Sequence, residues 1–269
     1  MKKTILITGS TDGIGKLAAI KLAKEEHELF LHGRNATKLS GVISEIKELS
    51  KNEKIKGFTA DFSDLKMVKK MAQQINEEVP KIDVLINNAG IFNSADTHNK
   101  DGFDLRYVVN YFAPYLLTNA LRPLLKKGNA SRIINLSSAA QNPISYDVFT
   151  GKEKQTERVT YGQSKLALTM WSFYLAKQLE DITVIALNPG SLLNTKMVRE
   201  AFGTHWSSAD KGANIIYDLA IAEEYNGVTG KYFDNDKGEV KGTFGEAHPD
   251  AYNAAAIEKL MEATKTIVG

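Results

Sequence analysis

The chain of 269 residues contains no cysteine. This absence excludes disulfide bonds, thiolate nucleophiles and thiolate metal sites. The sequence also lacks any apolar run approaching the roughly 18 residues that a membrane-spanning helix needs. Two lysines and a short apolar run open the chain, but the run ends at Thr8 and is too short for a secretory signal. We therefore expect a cytoplasmic protein without a membrane anchor.

The sequence also lacks an excess of either sign of charge. The 34 basic and 32 acidic residues give a net charge of +2, and the basic residues are scattered along the chain. This distribution argues against nucleic acid or an anionic membrane as a partner. The five histidines show neither HxxxH nor HxxE spacing, so we expect no metal site. The remaining composition, with 43% hydrophobic residues, is that of an ordinary globular protein.

Short apolar runs alternate with segments in which apolar residues recur at intervals of three and four. The second pattern is typical of helices, and runs that are apolar on both faces suit strands covered from both sides. The alternation predicts an α/β Rossmann fold, a doubly wound parallel sheet of about seven strands with helices on both faces. The sequence shows no repeat or low-complexity linker, which favours a single domain over residues 1–269. The predicted strands span 4–8, 28–32, 55–60, 84–88, 132–137, 183–188 and 231–233.

Three glycines, Gly9, Gly13 and Gly15, lie between the first strand and the first helix. Glycines at this junction let the backbone approach a phosphate, and the helix N-terminus adds unpaired N–H groups and the positive end of its dipole. The spacing is G-x-x-x-G-x-G and not the commoner G-x-G-x-x-G. Taken alone, the three glycines leave a tight turn without a ligand as an equal alternative.

The pattern TGxxxGIG after the first strand resembles the short-chain dehydrogenase/reductase family. The resemblance covers essentially the whole chain and implies that the Rossmann fold holds NAD(H) or NADP(H). It assigns cofactor contacts to several groups of residues along the chain. They are Gly9, Ser10, Gly13, Ile14 and Gly15; Asp61 and Phe62 at the adenine; Asn87, Asn88, Ala89 and Gly90; and Pro189, Gly190 and Thr195. For Asp61 a helix cap, and for Pro189–Gly190 a plain turn, remain alternatives.

The second predicted strand ends in "LFLHGRN". Proteins that bind NAD usually carry a carboxylate there for the adenosine ribose, whereas a guanidinium suits the 2′-phosphate of NADP. Arg34, helped by Asn35, therefore favours NADP(H), with NAD(H) as the other candidate. A solvated arginine is the alternative interpretation, because relatives that prefer NADP often have a basic residue where this chain has Asp12.

Tyr161 and Lys165 are four residues apart in "YGQSK" and share one face of a helix. Hydride transfer to a carbonyl produces an alkoxide that needs a proton. A nearby ammonium lowers the pKa of a phenol, and a serine hydroxyl stabilises the developing oxyanion. The resemblance implies that Tyr161 is the acid/base, that Lys165 lowers its pKa and holds the cofactor ribose, that Ser138 binds the oxyanion, and that Asn110 supports the proton relay. Both Tyr161 and Lys165 would also contact the cofactor.

Between Ser138 and Tyr161 lie 22 residues, 139–160, where many relatives have about a dozen. The longer segment resembles the branch of the family that contains retinol dehydrogenases and carbonyl reductases, and we expect it to form a flap at the substrate mouth. Residues 191–210 mix Leu192, Phe202 and Trp206 with charge, as in a lid over an apolar substrate. Simple packing under a surface helix is the alternative for any one of these side chains.

Together these features predict an oxidoreductase that moves hydride between NADP(H) and an apolar carbonyl or alcohol. A regulator that senses a dinucleotide without turnover is the second hypothesis, although such proteins typically lose the tyrosine or the lysine. An epimerase or dehydratase of nucleotide sugars is weaker, because those relatives carry a longer C-terminal domain. The family commonly forms homodimers or homotetramers through the helices after the fourth and fifth strands, and a monomer remains open.

Overall fold

The computed structural model describes residues 1–238 and 241–269. Within these residues eight strands form one sheet in the order β3-β2-β1-β4-β5-β6-β7-β8. The first seven are parallel, and β8 runs antiparallel to β7. The strands are β1 (Thr4–Ile7), β2 (Glu28–Gly33), β3 (Ile55–Thr59), β4 (Val84–Asn87), β5 (Arg132–Leu136), β6 (Thr183–Asn188), β7 (Lys231–Asp234) and β8 (Thr243–Gly245).

The doubly wound parallel sheet is confirmed, and each of the seven predicted strands is present with its ends within one residue of the prediction. The sequence did not predict β8, because three residues are too few to show an alternating pattern. Side chains of one strand enter two separate apolar clusters. Leu6 of β1 belongs to one, and its neighbours Ile5 and Ile7 belong to the other. Burial on both faces is why these strands are uniformly apolar.

Helices cover both faces of the sheet. The cluster with Ile5 lies under α1, α2 and α9, and the cluster with Leu6 lies under α3, α5, α7 and α10. The helices are α1 (Gly13–Lys24), α2 (Ala36–Ser50), α3 (Leu65–Glu78), α4 (Leu105–Tyr107), α5 (Ala113–Lys126), α6 (Tyr146–Phe149), α7 (Glu157–Gln178), α8 (Lys196–Phe202), α9 (Ala209–Ile221) and α10 (Ala254–Val268).

Strand order reverses beside β1, because β2 and β4 pair with its two opposite edges. In open α/β sheets ligands bind in the crevice at the carboxyl ends of the strands where the order reverses. The glycine turn, Gly9 to Gly15, follows β1, and the NNAG motif, Asn87 to Gly90, begins at the last residue of β4. The fold therefore places both motifs at the same crevice.

A π-helical turn, Val108–Phe112, joins α4 to α5 and contains Asn110. In a regular α-helix the carbonyl of Asn110 would accept the N–H of residue 114, but that residue is Pro114 and has no N–H. The helix widens here, so that Ala113 N donates to Val108 O, five residues back. Such π turns are frequent at functional sites.

The long segment 139–160 contains the short helix α6. Its Val148 and Phe149 are 2% and 1% exposed and belong to the core. The Phe149 ring lies 5.0 Å from the ring of Tyr107. The expected flap therefore has an anchored middle, because its two apolar side chains are more stable in the core than in solvent. Its position at the substrate mouth stays a prediction.

The C-terminal helix α10 packs on the outside of α7. Tyr111 and Thr264 join their hydroxyls at 2.7 Å, and the ring of Tyr252, just before α10, lies 5.3 Å from that of Phe173. Part of a helix expected to pair subunits is thus covered by the same chain, and the number of subunits stays a prediction. Within the described ranges no helix combines the length and apolarity that crossing a bilayer requires.

Candidate active site

The glycine turn and the NNAG motif pack tightly against each other. A Cβ atom added to Gly9, whose φ is +64°, would lie 2.7 Å from Cα of Ala89, and one added to Gly15 would lie 2.4 Å from Nδ2 of Asn88. That same Nδ2 donates to the carbonyls of Thr8 at 2.8 Å and Gly9 at 2.9 Å. No larger residue fits at either glycine, so the two motifs form one rigid unit.

The N-terminus of α1 lies next to the start of the predicted lid. Gly13 has φ +53°, and a Cβ atom there would be 3.6 Å from the methyl group of Thr195. Asp12 caps the helix by accepting from Gly13 N at 2.8 Å. Ile14 packs towards α9, where an added Cβ at Gly212 would lie 3.0 Å from its Cγ2. The structure thus brings Gly13, Ile14 and Thr195 together across 180 residues of sequence.

Several side chains assigned to the cofactor are already engaged within the protein. The Ser10 hydroxyl is buried and donates to Ile7 O at 3.1 Å, and its backbone N–H donates to His32 O at 3.0 Å, so Ser10 is fully engaged within the protein. Asn35 caps α2 by accepting from Lys38 N at 2.8 Å. Asp61 accepts from Ser63 N at 2.9 Å in the turn before α3, and the N-cap of that helix is Asp64 and not Asp61.

Two cations lie where β2 leads into α2. Arg34 is exposed, and Lys38 forms an ion pair with Asp12 at 2.7 Å, both side chains being at least half exposed. The acid that stands at the position of a basic residue in relatives is thus neutralised by a lysine one helical turn beyond Arg34. An exposed pair of this kind contributes little to stability and can exchange partners.

Asn87 braces the sheet, and Gly90 opens onto the catalytic groups. The Asn87 amide donates to Oδ1 of Asn135 at 2.7 Å. A Cβ atom on Gly90 would lie 3.3 Å from Oδ1 of Asn110 and 3.4 Å from Nζ of Lys165. The NNAG motif, the π turn and α7 therefore converge at one point.

Lys165 is 5% exposed, and its Nζ donates to Leu136 O at 2.8 Å. Burial lowers the pKa of Lys165 to about 8, because an apolar environment disfavours the ammonium. Its Nζ lies 5.6 Å from the centroid of the Tyr161 ring. The ammonium of Lys165 thus lies close to the Tyr161 ring. With this pKa, Lys165 loses its charge at mildly alkaline pH.

Burial raises the pKa of Tyr161, and the Ser138 hydroxyl beside it works against this rise. In the protein alone, desolvation of the tyrosinate outweighs the effect of the Ser138 hydroxyl, and the lowering of this pKa by Lys165 stays a prediction. Ser138 and Tyr161 nonetheless meet, although 22 residues separate them. The end of β5 and the first turns of α7 adjoin in the fold, whatever segment connects them.

Ser138 and Ser137 have different partners. The Ser138 carbonyl accepts from the hydroxyl of Tyr232 at 3.0 Å and from Nε2 of Gln141 at 2.9 Å, while its own hydroxyl faces the site. The Ser137 hydroxyl is buried against Thr169 at 2.6 Å. Tyr232 was missed by the sequence analysis, because nothing in "KYF" shows that its hydroxyl reaches the end of β5.

The Asn110 amide is fixed on all sides. Its Oδ1 accepts from Ile91 N at 2.8 Å, and its Nδ2 donates to Ile91 O and to the Ser164 hydroxyl, both at 3.0 Å. Any part that Asn110 plays in a proton relay must therefore run through its backbone carbonyl, the group that Pro114 cannot satisfy.

An ion cluster around the buried Arg106 contacts the start of α7. Arg106, 1% exposed, forms two bonds with Asp104 at 2.6 and 2.7 Å and approaches Glu157 at 3.3 Å. Glu157 is the first residue of α7 and precedes Tyr161 by one helical turn. No local pattern predicts this contact, since Arg106 and Glu157 are 51 residues apart.

Aromatic rings line the outer side of Tyr161. The Phe92 ring centroid lies 4.7 Å from that of Tyr161 and 5.1 Å from that of Phe202 on α8. Helix α8 has no buried residue, and Asn93 Nδ2 approaches Glu200 O at 3.4 Å. Phe92, which the sequence analysis did not single out, therefore stands between the phenol and the lid.

The loop before α8 is held by the segment after β7. Asn235 Nδ2 donates to Pro189 O at 2.8 Å, and Asp236 accepts from Ser191 N at 2.9 Å. Gly190, with φ +120°, makes the turn between them. Within residues 1–238 and 241–269 no group of three His, Asp or Glu side chains could hold a metal ion.

Comparison with known proteins gives consistent findings. Residues 3–205 match the family model of the short chain dehydrogenase. Human retinol dehydrogenase 13 is 32% identical over 287 residues, which cover 99% of this chain and 85% of that protein. A structure described as a short chain dehydrogenase of Escherichia coli CFT073 with NADPH is 27% identical, with TM-score 0.72 and coverage of 86% and 95%. The Pseudomonas aeruginosa RhlG/NADP complex is 25% identical, with TM-score 0.70 and coverage of 88% and 95%.

Proposed function

The chain belongs to the short-chain dehydrogenase family, and from that premise we propose that it reduces an apolar carbonyl compound, or oxidises the matching alcohol, with NADP(H). As a member of this family it is an oxidoreductase that acts on CH–OH groups, as predicted. The single observation that carries the proposal is the meeting of Ser138, Tyr161 and Lys165 in the crevice beside β1.

The residues around the glycine turn fit a dinucleotide. The glycine turn is partly exposed at Gly9 and Gly13 and carries no side chain at these two positions, so a diphosphate can lie against its backbone. Arg34 and Lys38 supply positive charge suited to a 2′-phosphate. The E. coli and P. aeruginosa structures, which are complexes with NADPH and NADP, support the same preference. When bound, the nicotinamide supplies or accepts the hydride.

The protein's own groups handle the proton. Because burial raises the pKa of Tyr161, the phenol is protonated at neutral pH and can donate a proton to an alkoxide. The Ser138 hydroxyl, beside it, donates to the same oxygen as negative charge develops. Lys165, fixed to Leu136 O, keeps a positive charge next to the phenol. A protonated phenol is the form that donates in reduction, and the same phenol must give up its proton to act as the base in oxidation.

The substrate side is apolar. The rings of Phe92 and Phe202 extend outward from Tyr161, so an apolar group attached to the reacting carbonyl would lie against them. Retinol, in the name of the human relative, is an apolar alcohol of this kind. A cytoplasmic location and the number of subunits stay predictions.

The test compares Tyr161→Phe with Tyr174→Phe, a control on the same helix. We expect Tyr161→Phe to lower the rate of NADPH consumption, measured over a panel of apolar aldehydes and ketones, by about 10²- to 10⁴-fold. NADPH binding, followed by fluorescence, should be unchanged in both variants. Full activity in Tyr161→Phe would overturn the mechanism, and binding without consumption of NADPH by the natural protein would favour the regulator instead.

A further inference from the structure

The His32 side chain contacts two of the segments that form the cofactor crevice. It lies in β2, two residues before Arg34, and is 3% exposed. Its Nδ1 is 3.1 Å from Gly9 N, its Nε2 is 2.9 Å from Ala60 O, and its ring stacks on Phe62 with centroids 4.1 Å apart. One side chain thus contacts the glycine turn after β1 and the segment after β3.

The chemistry of these partners fixes the state of the ring. Gly9 N can only donate and Ala60 O can only accept, so Nδ1 must be the acceptor and Nε2 must carry the proton. Burial lowers the pKa of His32 to about 4, which keeps the imidazole neutral at physiological pH. Both ring nitrogens therefore have a matched partner, and neither is left to bind a metal or to act as a base.

The glycine turn is attached to β2 by a second link as well. Ser10, which follows Gly9, has its N–H 3.0 Å from His32 O, and its hydroxyl accepts from His32 N at 3.0 Å. The backbone of residue 32 thus holds Ser10, while the side chain holds Gly9. Since Gly9 has φ +64° and presses on Ala89, its amide has little freedom to find another acceptor.

We propose that His32 is a positioning residue for the dinucleotide, which holds the amide of Gly9 and so fixes the glycine turn against β2 in the conformation that contacts the cofactor. The inference rests on the proposed function, because it assumes that the crevice holds NADP(H). It adds a polar side chain buried beneath the crevice to the exposed Arg34 and Lys38, and it acts through Gly9 without touching the ligand.

Two amide variants separate the two ring contacts. Asn places its Oδ1 where Nδ1 stands and restores the acceptor for Gly9, whereas Gln places an amide nitrogen near Nε2 and restores only the donor to Ala60. We expect His32→Gln and His32→Ala to raise the dissociation constant of NADPH about tenfold, while His32→Asn stays within about threefold of the natural protein. The readout is NADPH fluorescence. The kcat at saturating NADPH should change little in all three.

His27→Gln is the matched control. His27 is also buried and accepts from Lys3 N at 3.0 Å. It lies just before β2, at the amino ends of the strands, whereas the crevice lies at their carboxyl ends. A purely structural role for His32 predicts that both Gln variants lose thermal stability and keep their affinity for NADPH. If His32→Ala does not fold, the comparison of the Asn and Gln variants decides.

The outcomes are distinct. Equal affinities for NADPH in the natural protein, His32→Asn and His32→Gln would overturn this inference and leave the proposed function standing. Equal weakening in His32→Asn and His32→Gln would also overturn it, because the acceptor for Gly9 would then not matter. A natural protein that binds neither NADPH nor NADH would overturn the proposed function, and the inference with it.

Discussion

The two sides of the crevice are built in opposite ways. On the cofactor side, Gly9 packs against the backbone of Ala89 and Gly15 packs against the side-chain amide of Asn88, and neither glycine has room for a methyl group. On the substrate side, α8 has no buried residue and contacts the site through Phe202, whose side chain is 45% exposed. The first side holds its shape by close packing, and the second consists of side chains that can be exchanged.

This difference separates the reaction from its specificity. A surface of backbone atoms presents the same groups whatever side chains surround it, which suits a common dinucleotide. Helix α8 has no buried residue and can change sequence without endangering the core, because it contributes little buried area. The following predictions test that contrast, from the largest expected effect to the smallest.

Gly15→Ala should cause the largest loss. In an exposed helix this change is normally favourable by about 1 kcal/mol, but here the new Cβ atom would lie 2.4 Å from Asn88 Nδ2 and 2.8 Å from Gly9 O. We expect a loss of about 3 kcal/mol in the free energy of unfolding, measured in urea, and loss of NADPH binding. Gly41→Ala in α2, where nothing lies within 4 Å, is the control and should be neutral or stabilising. Equal stability of the two variants would show that the interlock is not rigid.

Lys165→Met should remove activity and yet stabilise the protein at pH 7. Below pH 8 the lysine is charged in both folded and unfolded chains, and a pKa lowered from 10.5 to about 8 corresponds to a cost of about 3 kcal/mol for burying that charge. Losing the bond to Leu136 O offsets about 1 to 2 kcal/mol of the gain.

The pH dependence of this effect follows from the two pKa values. As the pH rises from about 8 to 10.5 the folded lysine becomes neutral before the unfolded one, so the cost of the natural lysine disappears. We expect the difference in unfolding free energy between variant and natural protein to shrink over this range. Lys177→Met, an exposed change on the same helix, should show no such trend. A difference that does not vary with pH would contradict the prediction.

Phe202→Ala should have the smallest effect on stability, below about 1 kcal/mol, because nearly half of the side chain is exposed. It should raise KM for apolar substrates several-fold while kcat and NADPH binding stay the same. Phe92→Ala, at 9% exposure and against Tyr161, should lower stability by about 3 kcal/mol. Leu49→Ala, at 53% exposure and on α2, is the control for KM, and an equal change there would argue against a substrate contact for Phe202.

Much of the fold could be predicted because its signals are local. Buried parallel strands such as Thr4–Ile7 are apolar on both faces, and their runs are visible without any knowledge of their neighbours. The strand β8 and the anchored helix α6 could not be predicted in the same way. Three residues carry no period, and only the packing around Phe149 shows that it is a core residue.

The same distinction between local signals and long-range contacts applies to the site. The sequence alone determined the spacing of Tyr161 and Lys165 on one helix and the glycines after β1, because helix periodicity and the backbone requirements of a turn depend on neighbouring residues. The tertiary structure decided the meeting of Ser138 with Tyr161, the contact of His32 with Gly9, and the directions in which burial moves the pKa values of Tyr161 and Lys165. Desolvation and contacts between distant segments exist only once the chain has packed, so no local pattern can encode them.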